Sequence, residues 1–316
     1  MGREMIYARP AMSLSQASKT LLDPLSDVLA VLDARATRRT RLEATGDWAL
    51  AFPALDRLKF VAVLRGTCWV MFPGSAPQQM SAGDCCLIGR TAYSVASDPL
   101  LTPIDGLPFY EVSDVLRLGG DETVTLGGGL TLARGNARFL LDMLPAYVRV
   151  PRPSAAAGAV ATTLALLDLE AEHPGIGSEI VTARLADVLM IEAMRAYASS
   201  PEAAQIGWLG ALADPRIGRA LQRIHSDIAQ PWTVARLASE AGMSRAAFSA
   251  TFTHRVGQSP LAYVRAWRLT LARAALEDRR SDVATVAANV GYTSQSAFGH
   301  AFRRAFGVSP RASARR

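Results

Sequence analysis

The sequence has few cysteines and histidines, no lysine in its last third and no long apolar run. Its 316 residues include three cysteines, Cys68, Cys85 and Cys86, whose spacing fits neither a metal site nor an even-numbered disulfide set. We therefore expect buried, unpaired thiols, with redox sensing as the alternative. No stretch approaches the roughly 20 apolar residues that cross a bilayer, and the first 20 residues lack a signal-peptide core. We expect a cytoplasmic protein with no membrane partner.

Charge is divided unevenly along the chain. From Asp214 to Arg316 there are 16 arginines, no lysine and 6 acidic residues, a net charge of +10, whereas the preceding residues carry −4. Together they give the overall net charge of +6. A strongly basic domain on an otherwise slightly acidic chain is typical of nucleic-acid binding, because phosphates attract clustered arginines. The alternative, a solvated charge run, usually mixes both signs.

The basic part repeats one pattern of about 25 residues. The copies run from Thr233 to Pro260 and from Asp282 to Pro310. Each contains a short Ala/Val/Leu run at helical spacing, a glycine, a second run with apolar residues four apart, and a closing Gly-x-Ser-Pro. Helix, glycine turn and helix over this length predict one helix-turn-helix in each copy. The expected helix caps are Thr233, Ser244, Asp282 and Thr293.

The outward face of the second helix in each copy lacks carboxylates and carries mostly short side chains. Such a face suits a helix that enters the major groove, because phosphates repel acidic groups. Gln295 can hydrogen-bond a base edge with two bonds, and Ala246 and Ala250 can contact thymine methyl groups. The alternative is a solvent-facing helix of a small bundle. The candidate DNA-contacting residues are Arg245, Ala246, Ser249, Ala250, Thr253, Gln295, Ser296, Gly299, His300, Arg303 and Arg304.

Two strings in this region, GMSRAAFSATFTHRVGQSP and GYTSQSAFGHAFRRAFGVSP, carry a family resemblance over about the last 100 residues. They resemble the DNA-binding domain of AraC/XylS-type transcription regulators. The resemblance implies two helix-turn-helix units on a connecting helix, here residues 261–277, with both recognition helices in successive major grooves. Because these grooves lie about 34 Å apart on one face of DNA, the connector must be rigid.

The resemblance implies base contacts from the outward positions. Among them, we predict base reading by Gln295, Ser296, His300, Arg245 and Ser249. The candidates for phosphate contacts are Arg255, Arg303, Arg304 and the tail from Arg311 to Arg316. The first recognition helix has Ala246, Ser249 and Ala250 where relatives often carry longer polar side chains, which favours a positioning role for that helix.

The first half of the chain has a different texture. A helix is expected at residues 24–36, followed by short runs between turn residues from Thr45 to Ala133, including Phe109 to Val112. Many short strands at this spacing predict a β-sandwich or small barrel. The order Leu-Arg-Gly at 64–66, Trp69, and Ala-Gly-Asp at 82–84 resembles the cupin-like sensory domain of a subset of AraC-type regulators. That resemblance covers about residues 22–150 and implies a barrel with a small molecule in its mouth.

Metal chemistry is not expected in this barrel. The four histidines, His173, His225, His254 and His300, all lie outside it, and Tyr93 stands about where a cupin's last histidine ligand would be expected. We therefore predict no metal, no cofactor and no catalytic residue. The candidate effector-binding residues, each with ordinary core packing as the alternative, are Trp48, Phe60, Arg65, Trp69, Phe72 and Tyr93.

A helical hairpin is expected between the two domains. Pro145 to Pro153 is predicted to be a linker, and Ser199 to Gln205 a tether. The helices between them, residues 154–173 and 178–197, share a wide apolar stripe that must be buried. The family resemblance implies dimerisation through this stripe, and packing on the chain's own barrel is the alternative.

These features predict a multidomain α+β protein. It comprises a cupin-like β-barrel at residues 22–150, a helical hairpin at 153–200 and an all-α domain with two helix-turn-helix units at 214–316. The predicted function is a ligand-responsive, sequence-specific transcription regulator that binds double-stranded promoter DNA and a small-molecule effector. A homodimer is expected, with RNA polymerase as a partner if the protein is an activator. The alternatives are an architectural nucleic-acid binder without an effector and a cupin-type enzyme with a regulatory tail.

Overall fold

The computed structural model describes residues 23–36, 39–132, 137–150, 155–173, 175–200, 207–278 and 281–315. The chain forms two compact units. Counting described residues only, the β-rich unit comprises those from 32 to 215 and from 250 to 259, and the helical unit comprises those from 23 to 31, from 216 to 249 and from 260 to 315. This division assigns residues 24–31 to the helical unit and the segment 250–259 to the β-rich unit, two departures from the sequence-based boundaries.

The elements alternate strands and short helices before a run of helices. The strands are β1 (Arg35–Ala36), β2 (Thr40–Ala44), β3 (Ala49–Phe52), β4 (Leu58–Arg65), β5 (Thr67–Met71), β6 (Gln78–Ser81), β7 (Cys85–Ile88), β8 (Tyr93–Ala96), β9 (Ile104–Asp105), β10 (Val115–Leu118), β11 (Thr123–Thr131) and β12 (Tyr147–Arg149). The helices are α1 (Pro24–Val31), α2 (Leu107–Val112), α3 (Ala137–Leu141), α4 (Ala155–Glu172), α5 (Ser178–Ala198), α6 (Trp208–Ala213), α7 (Ile217–Ser226), α8 (Val234–Glu240), α9 (Arg245–Val256), α10 (Pro260–Glu277), α11 (Val283–Asn289), α12 (Gln295–Phe306) and α13 (Pro310–Ser313).

Two sheets build the β-rich unit. The larger has the order β10-β2-β11-β4-β7-β12, with β1 paired to β11, and the smaller has the order β6-β5-β8-β3-β9. Between them lies one core that includes Trp48, Val61, Phe72, Met80 and Ile88. Neither strand order returns to its start, so the barrel is not closed. The cupin-like class is confirmed, with two facing sheets around the predicted core.

Two sequence-based assignments in this unit are wrong. Phe109 to Val112 was expected as a strand but belongs to helix α2, which starts after Gly106 with a proline in its first turn. That proline position favours a helix start, because its missing N–H is not needed there. The expected linker from Pro145 to Pro153 contains strand β12, which pairs with β7. The prolines at both ends of this segment made the whole of it look like a linker, so the three paired residues between them were not predicted as a strand. Residues 151–153 lie outside the described residues.

The hairpin of α4 and α5 has two apolar faces. One face is buried and contacts strands of the larger sheet, with Leu164, Leu167, Leu189 and Met190 in the core. Ion pairs such as Arg65 with Glu172, at 2.7 Å, fasten the hairpin to the strands. The other face is exposed and carries Leu166, Leu169, Ile180, Val181 and Val188. Packing on its own sheets therefore accounts for only part of the apolar stripe. Of the expected tether, only residues 199 and 200 are described.

Helix α10 is the centre of the helical unit. It contacts α1, α8, α11, α12 and α13, and it buries Tyr263, Trp267 and Leu271 as the i, i+4, i+8 spacing predicted. The first described helix, α1, is held to α7 by a polar contact: the Asp27 carboxylate lies 2.7 Å from His225 Nδ1. The other ring nitrogen, Nε2, lies 2.7 Å from the Tyr263 hydroxyl. Burial of this Asp-His-Tyr chain ties α1 to the helices around α10.

Candidate nucleic-acid interface

Both helix-turn-helix units are defined locally by caps and glycines. Thr233 accepts a hydrogen bond from the Arg236 amide, and Asp282 accepts bonds from the Ala284 and Thr285 amides at 2.8 and 2.9 Å. These bonds to the carboxylate hold the pKa of Asp282 below its usual value. Gly242 and Gly291 turn the chain at φ +63° and +81°, a conformation that strains other residues. The helix-turn-helix prediction is confirmed in both copies.

The caps of the second helices differ slightly from expectation. Ser244 caps α9 by accepting a bond from the Ala247 amide, as predicted. In the second copy the cap is Ser294, which accepts a bond from the Ala297 amide, and not Thr293. The one-residue insertion between the repeats moves the helix start by one position, because the cap hydroxyl must reach the third helical amide.

The inner faces of α9 and α12 are aromatic. Phe248, Phe252, Phe298 and Phe302 are each fully buried. The rings of Phe298 and Phe302 lie 5.6 Å apart, and those of Phe302 and Phe306 pack edge to face at 4.7 Å. Since burying one such ring contributes about 1.5–3 kcal/mol, these faces fix which side of each helix points outward.

Most of the predicted DNA-contacting positions of α9 and α12 are exposed. Ser249 and Gly299 are half-buried, and the remaining members are exposed: Arg245, Ala246, Ala250, Thr253, Gln295, Ser296, His300, Arg303 and Arg304. Within the described residues, no ion pair involves Arg245, Arg303 or Arg304. Arg255, also predicted to contact phosphate, lies 3.4 Å from a carboxylate oxygen of Asp214. Among the described residues, Arg245, Arg303 and Arg304 thus have no ionic partner, as a phosphate-binding surface requires, whereas Arg255 has one.

Sequence reasoning missed the residue that ties the two repeats to their connector. Arg268, on α10, donates to three backbone carbonyls: Ile228 at 3.0 Å, Gln230 at 2.6 Å and Gly291 at 3.3 Å. The first two carbonyls precede the first helix-turn-helix, and the third lies in the turn of the second. Burial lowers the pKa of Arg268 from its usual value, but the guanidinium stays charged. An arginine inside an otherwise apolar helix face was the only sequence signal.

The candidate effector residues lie in different surroundings. Trp48 and Phe72 belong to the core between the sheets, and Phe72 stacks on Tyr147 at 3.8 Å. Phe60 is buried on β4, whereas Trp69 is half-buried on β5. Tyr93 packs against the core and stacks on Phe52 at 5.0 Å. Arg65 lies between two carboxylates, with Asp121 at 2.8 Å and Glu172 at 2.7 Å.

The cysteines are free and buried, as predicted. Burial raises the pKa of Cys68 and of Cys86 to about 12, so both thiols stay protonated at neutral pH and are poor nucleophiles. Across the described ranges, no group of three His, Cys, Asp or Glu side chains is placed to hold a metal ion. Within the same ranges, no helix has the length and apolar character needed to cross a membrane.

Two family models match this chain. One, described as Cupin, matches residues 23–199, and the other, described as Helix-turn-helix domain, matches residues 237–316. The first covers the strands and the helical hairpin, and the second covers most of the two repeats. Together they account for both kinds of architecture seen in the structure.

Curated relatives align over nearly the whole chain. A putative AraC-like transcription regulator of Streptomyces lividans is 38% identical over 294 residues, which cover 92% of this chain and 97% of the relative. One from Streptomyces antibioticus is 39% identical over the same shares. The HTH-type transcriptional regulator AlkR of Acinetobacter baylyi is 28% identical over 92% of this chain and 98% of its own. The chain therefore belongs to the AraC-like family of transcription regulators, whose DNA-binding part is the helix-turn-helix domain described above.

Proposed function

We propose that this protein is a ligand-responsive regulator that reads a specific promoter site through α9 and α12. The observation that carries the proposal is the repeated outward face: two helices with buried phenylalanines, no outward carboxylate, and three exposed arginines that form no ion pair within the described part of the chain. A major groove accepts such helices, and its phosphates supply the missing counter-charge. The cupin-like unit is the proposed sensor of a small-molecule effector.

The proposal extends to assembly and location. The exposed apolar face of α4 and α5 supports a homodimer formed through the hairpin, because such a patch on a monomer usually marks an interaction site. A regulator of transcription acts where the chromosome is, so we propose a cytoplasmic protein, with RNA polymerase as partner if it activates. Its relatives are regulators, which supports a role without catalysis.

The test separates base reading from phosphate contact. A binding site is first selected from random DNA with the full chain, and affinities for it and for unrelated DNA are measured at several salt concentrations. We expect Gln295→Ala to weaken binding to the selected site by about 1–3 kcal/mol and to leave binding to unrelated DNA almost unchanged. We expect Arg303→Ala to weaken binding to both DNAs. It should also lower, by about one unit, the slope of log binding constant against log salt concentration.

A matched control is Arg195→Ala, which removes an exposed arginine paired with Glu192 on helix α5. It should bind both DNAs as the wild type does. Equal losses of Gln295→Ala on selected and unrelated DNA would show that this side chain does not read a base. Failure to select any preferred sequence would favour the architectural alternative.

A further inference from the structure

A buried lysine closes one end of the core between the two sheets. Lys59, on β4 of the larger sheet, is only 5% exposed. Its ammonium lies 4.5 Å from the ring centre of Tyr93, on β8 of the smaller sheet. Its ammonium donates a hydrogen bond to the carbonyl of Pro53, at 3.3 Å. A charged side chain so deeply buried normally has an ionic partner.

No carboxylate in the described residues neutralises Lys59. Among the described residues, the charged group that lowers its pKa is another cation, Arg57, two residues earlier on the chain. Arg57 is half-buried, and its Nε atom is buried without a hydrogen-bond partner. Burial, with the Arg57 charge second, lowers the pKa of Lys59 to about 8. Two adjacent cations without an anion form a site with an unmatched positive charge.

The surroundings of this cation pair are aromatic. Phe52 stacks on Tyr93 and lies 6.2 Å from Tyr110, ring centre to ring centre. Burial raises the pKa of Tyr110 to about 12, and that of Tyr93 further, so both phenols are neutral at physiological pH. They can donate hydrogen bonds to an anion but cannot replace one.

Helix α2 covers this end of the core loosely. None of its six residues is buried, and Phe109 and Val112 are 38% and 89% exposed. Its Tyr110 ring faces Phe52, and Gly106, just before it, packs so closely on the Phe52 ring that a Cβ there would come within 2.6 Å. A helix that buries so little can shift at small cost and admit a ligand.

The neighbouring cavity does not offer the same chemistry. A cavity of about 620 Å³ lies beside residues 54–56, but its arginine, Arg90, already pairs with Asp56 at 2.9 Å and Asp142 at 2.8 Å. Arg65, at the other end of β4, is likewise held by two carboxylates. Lys59 and Arg57 differ from these arginines because no carboxylate of the described residues pairs with either of them.

We propose that this end of the β-rich unit is the effector site, and that the effector is a small organic carboxylate with an apolar or aromatic body. Its carboxylate pairs with Lys59 and Arg57, and its body packs against Phe52, Tyr93 and Tyr110. A carboxylate with an apolar body fits this site because the two cations can pair with its two oxygens and the aromatic walls can pack against its body. This inference rests on the proposed function as a ligand-responsive regulator.

The test uses the full chain and matched pairs of probes. Benzoate, 3-phenylpropanoate and octanoate are each compared with the corresponding neutral amide by thermal shift and calorimetry. A bound ligand raises Tm with concentration, so we expect at least one carboxylate to raise it and its amide to leave it unchanged. Lys59→Met and Arg57→Gln should each lower the affinity for that carboxylate about tenfold or more, since each removes a charge-assisted contact. Arg117→Gln, which removes an exposed arginine already paired with Glu43 at 2.8 Å, should bind it with wild-type affinity.

Several outcomes would overturn the inference. They are an inert carboxylate panel, equal binding of acid and amide, unchanged binding in both Lys59→Met and Arg57→Gln, or tighter binding of phenyl phosphate than of any carboxylate. Gel shifts run in parallel separate this inference from the proposed function. Carboxylate binding through Lys59 without any effect on DNA affinity supports the site and contradicts the ligand response. A non-carboxylate that changes DNA affinity equally in the wild type and Lys59→Met supports the response and contradicts the site.

Discussion

Lys59 places a positive charge where the described residues supply no neutralising carboxylate, and that arrangement costs stability. Its pKa of about 8 in the folded state is below the ordinary 10.5, so folding opposes its protonation. The difference corresponds to roughly 3 kcal/mol at neutral pH. We expect Lys59→Met to be more stable than the wild type at pH 7 by about 1–3 kcal/mol, because the buried charge is removed. The loss of the contact between the lysine and the Tyr93 ring offsets part of that gain.

The pH dependence has a definite sign. Between pH 8 and 10.5 the unfolded chain keeps a proton on Lys59 that the folded chain has lost, so wild-type stability from this group rises with pH. The advantage of Lys59→Met should therefore shrink from pH 7 to pH 10 in denaturant titrations. Arg65→Met, at an exposed and paired arginine of the same strand, should show no such change. A variant less stable than the wild type at pH 7 would contradict the assignment of an uncompensated charge.

At the scale of elements, Arg268 connects three segments that would otherwise depend on side-chain packing alone. Its guanidinium spans the chain before the first helix-turn-helix and the turn of the second, where a Cβ on Gly291 would lie 2.6 Å from the Ala229 carbonyl oxygen. We expect Arg268→Leu to lower the free energy of unfolding by about 2–4 kcal/mol, because three carbonyls lose their donor. The variant should also lose more affinity for a DNA site that spans two major grooves than for a half-site.

The control is Arg265→Leu, an exposed arginine one turn earlier on α10. It loses a charge without orphaning a carbonyl, so its stability should change little. Chemical denaturation measures the stability of each variant. Gel shifts measure its affinity for the full DNA site and for a half-site. Similar values for the two variants would show that Arg268 acts only through its charge.

How far the sequence predicts an element depends on where its stabilising contacts lie. The helix-turn-helix units could be predicted because caps, glycine turns and i, i+4 phenylalanines are all local, and the connector was placed within one residue. Strand β12 was missed because only pairing with β7 makes its three residues extended. The roles of Lys59 and Arg268 depend on partners distant along the chain: Tyr93 is 34 positions away from Lys59, and Ile228 is 40 positions away from Arg268.

At the scale of the whole molecule, charge and apolar surface separate along the sequence. The net charge of +10 lies in the last third, whereas the exposed apolar residues of α4 and α5 lie in the part with a net charge of −4. Phosphates therefore attract the basic last third, and we propose that the exposed face of α4 and α5 binds another protein surface. Two copies joined through their hairpins would bind two sites with an avidity that one copy lacks.

Assembly through the hairpin predicts a simple change of mass. Ile180 and Val188, on α5, are 69% and 46% exposed, so replacing both with glutamate should not disturb the fold. It should prevent dimerisation, because two carboxylates would be buried without partners at a symmetric interface. Light scattering coupled to size exclusion should give twice 33.7 kDa for the wild type and 33.7 kDa for Ile180→Glu/Val188→Glu.

The matched control is Leu100→Glu, which places the same charge on a single leucine that is 91% exposed in a turn outside the hairpin. This variant should remain a dimer. The double variant should keep its affinity for one isolated site but lose about a hundredfold or more on a paired site, since only avidity is removed. A wild-type monomer at micromolar concentration, or a dimer that survives both glutamates, would show that the exposed face of α4 and α5 does not join two copies.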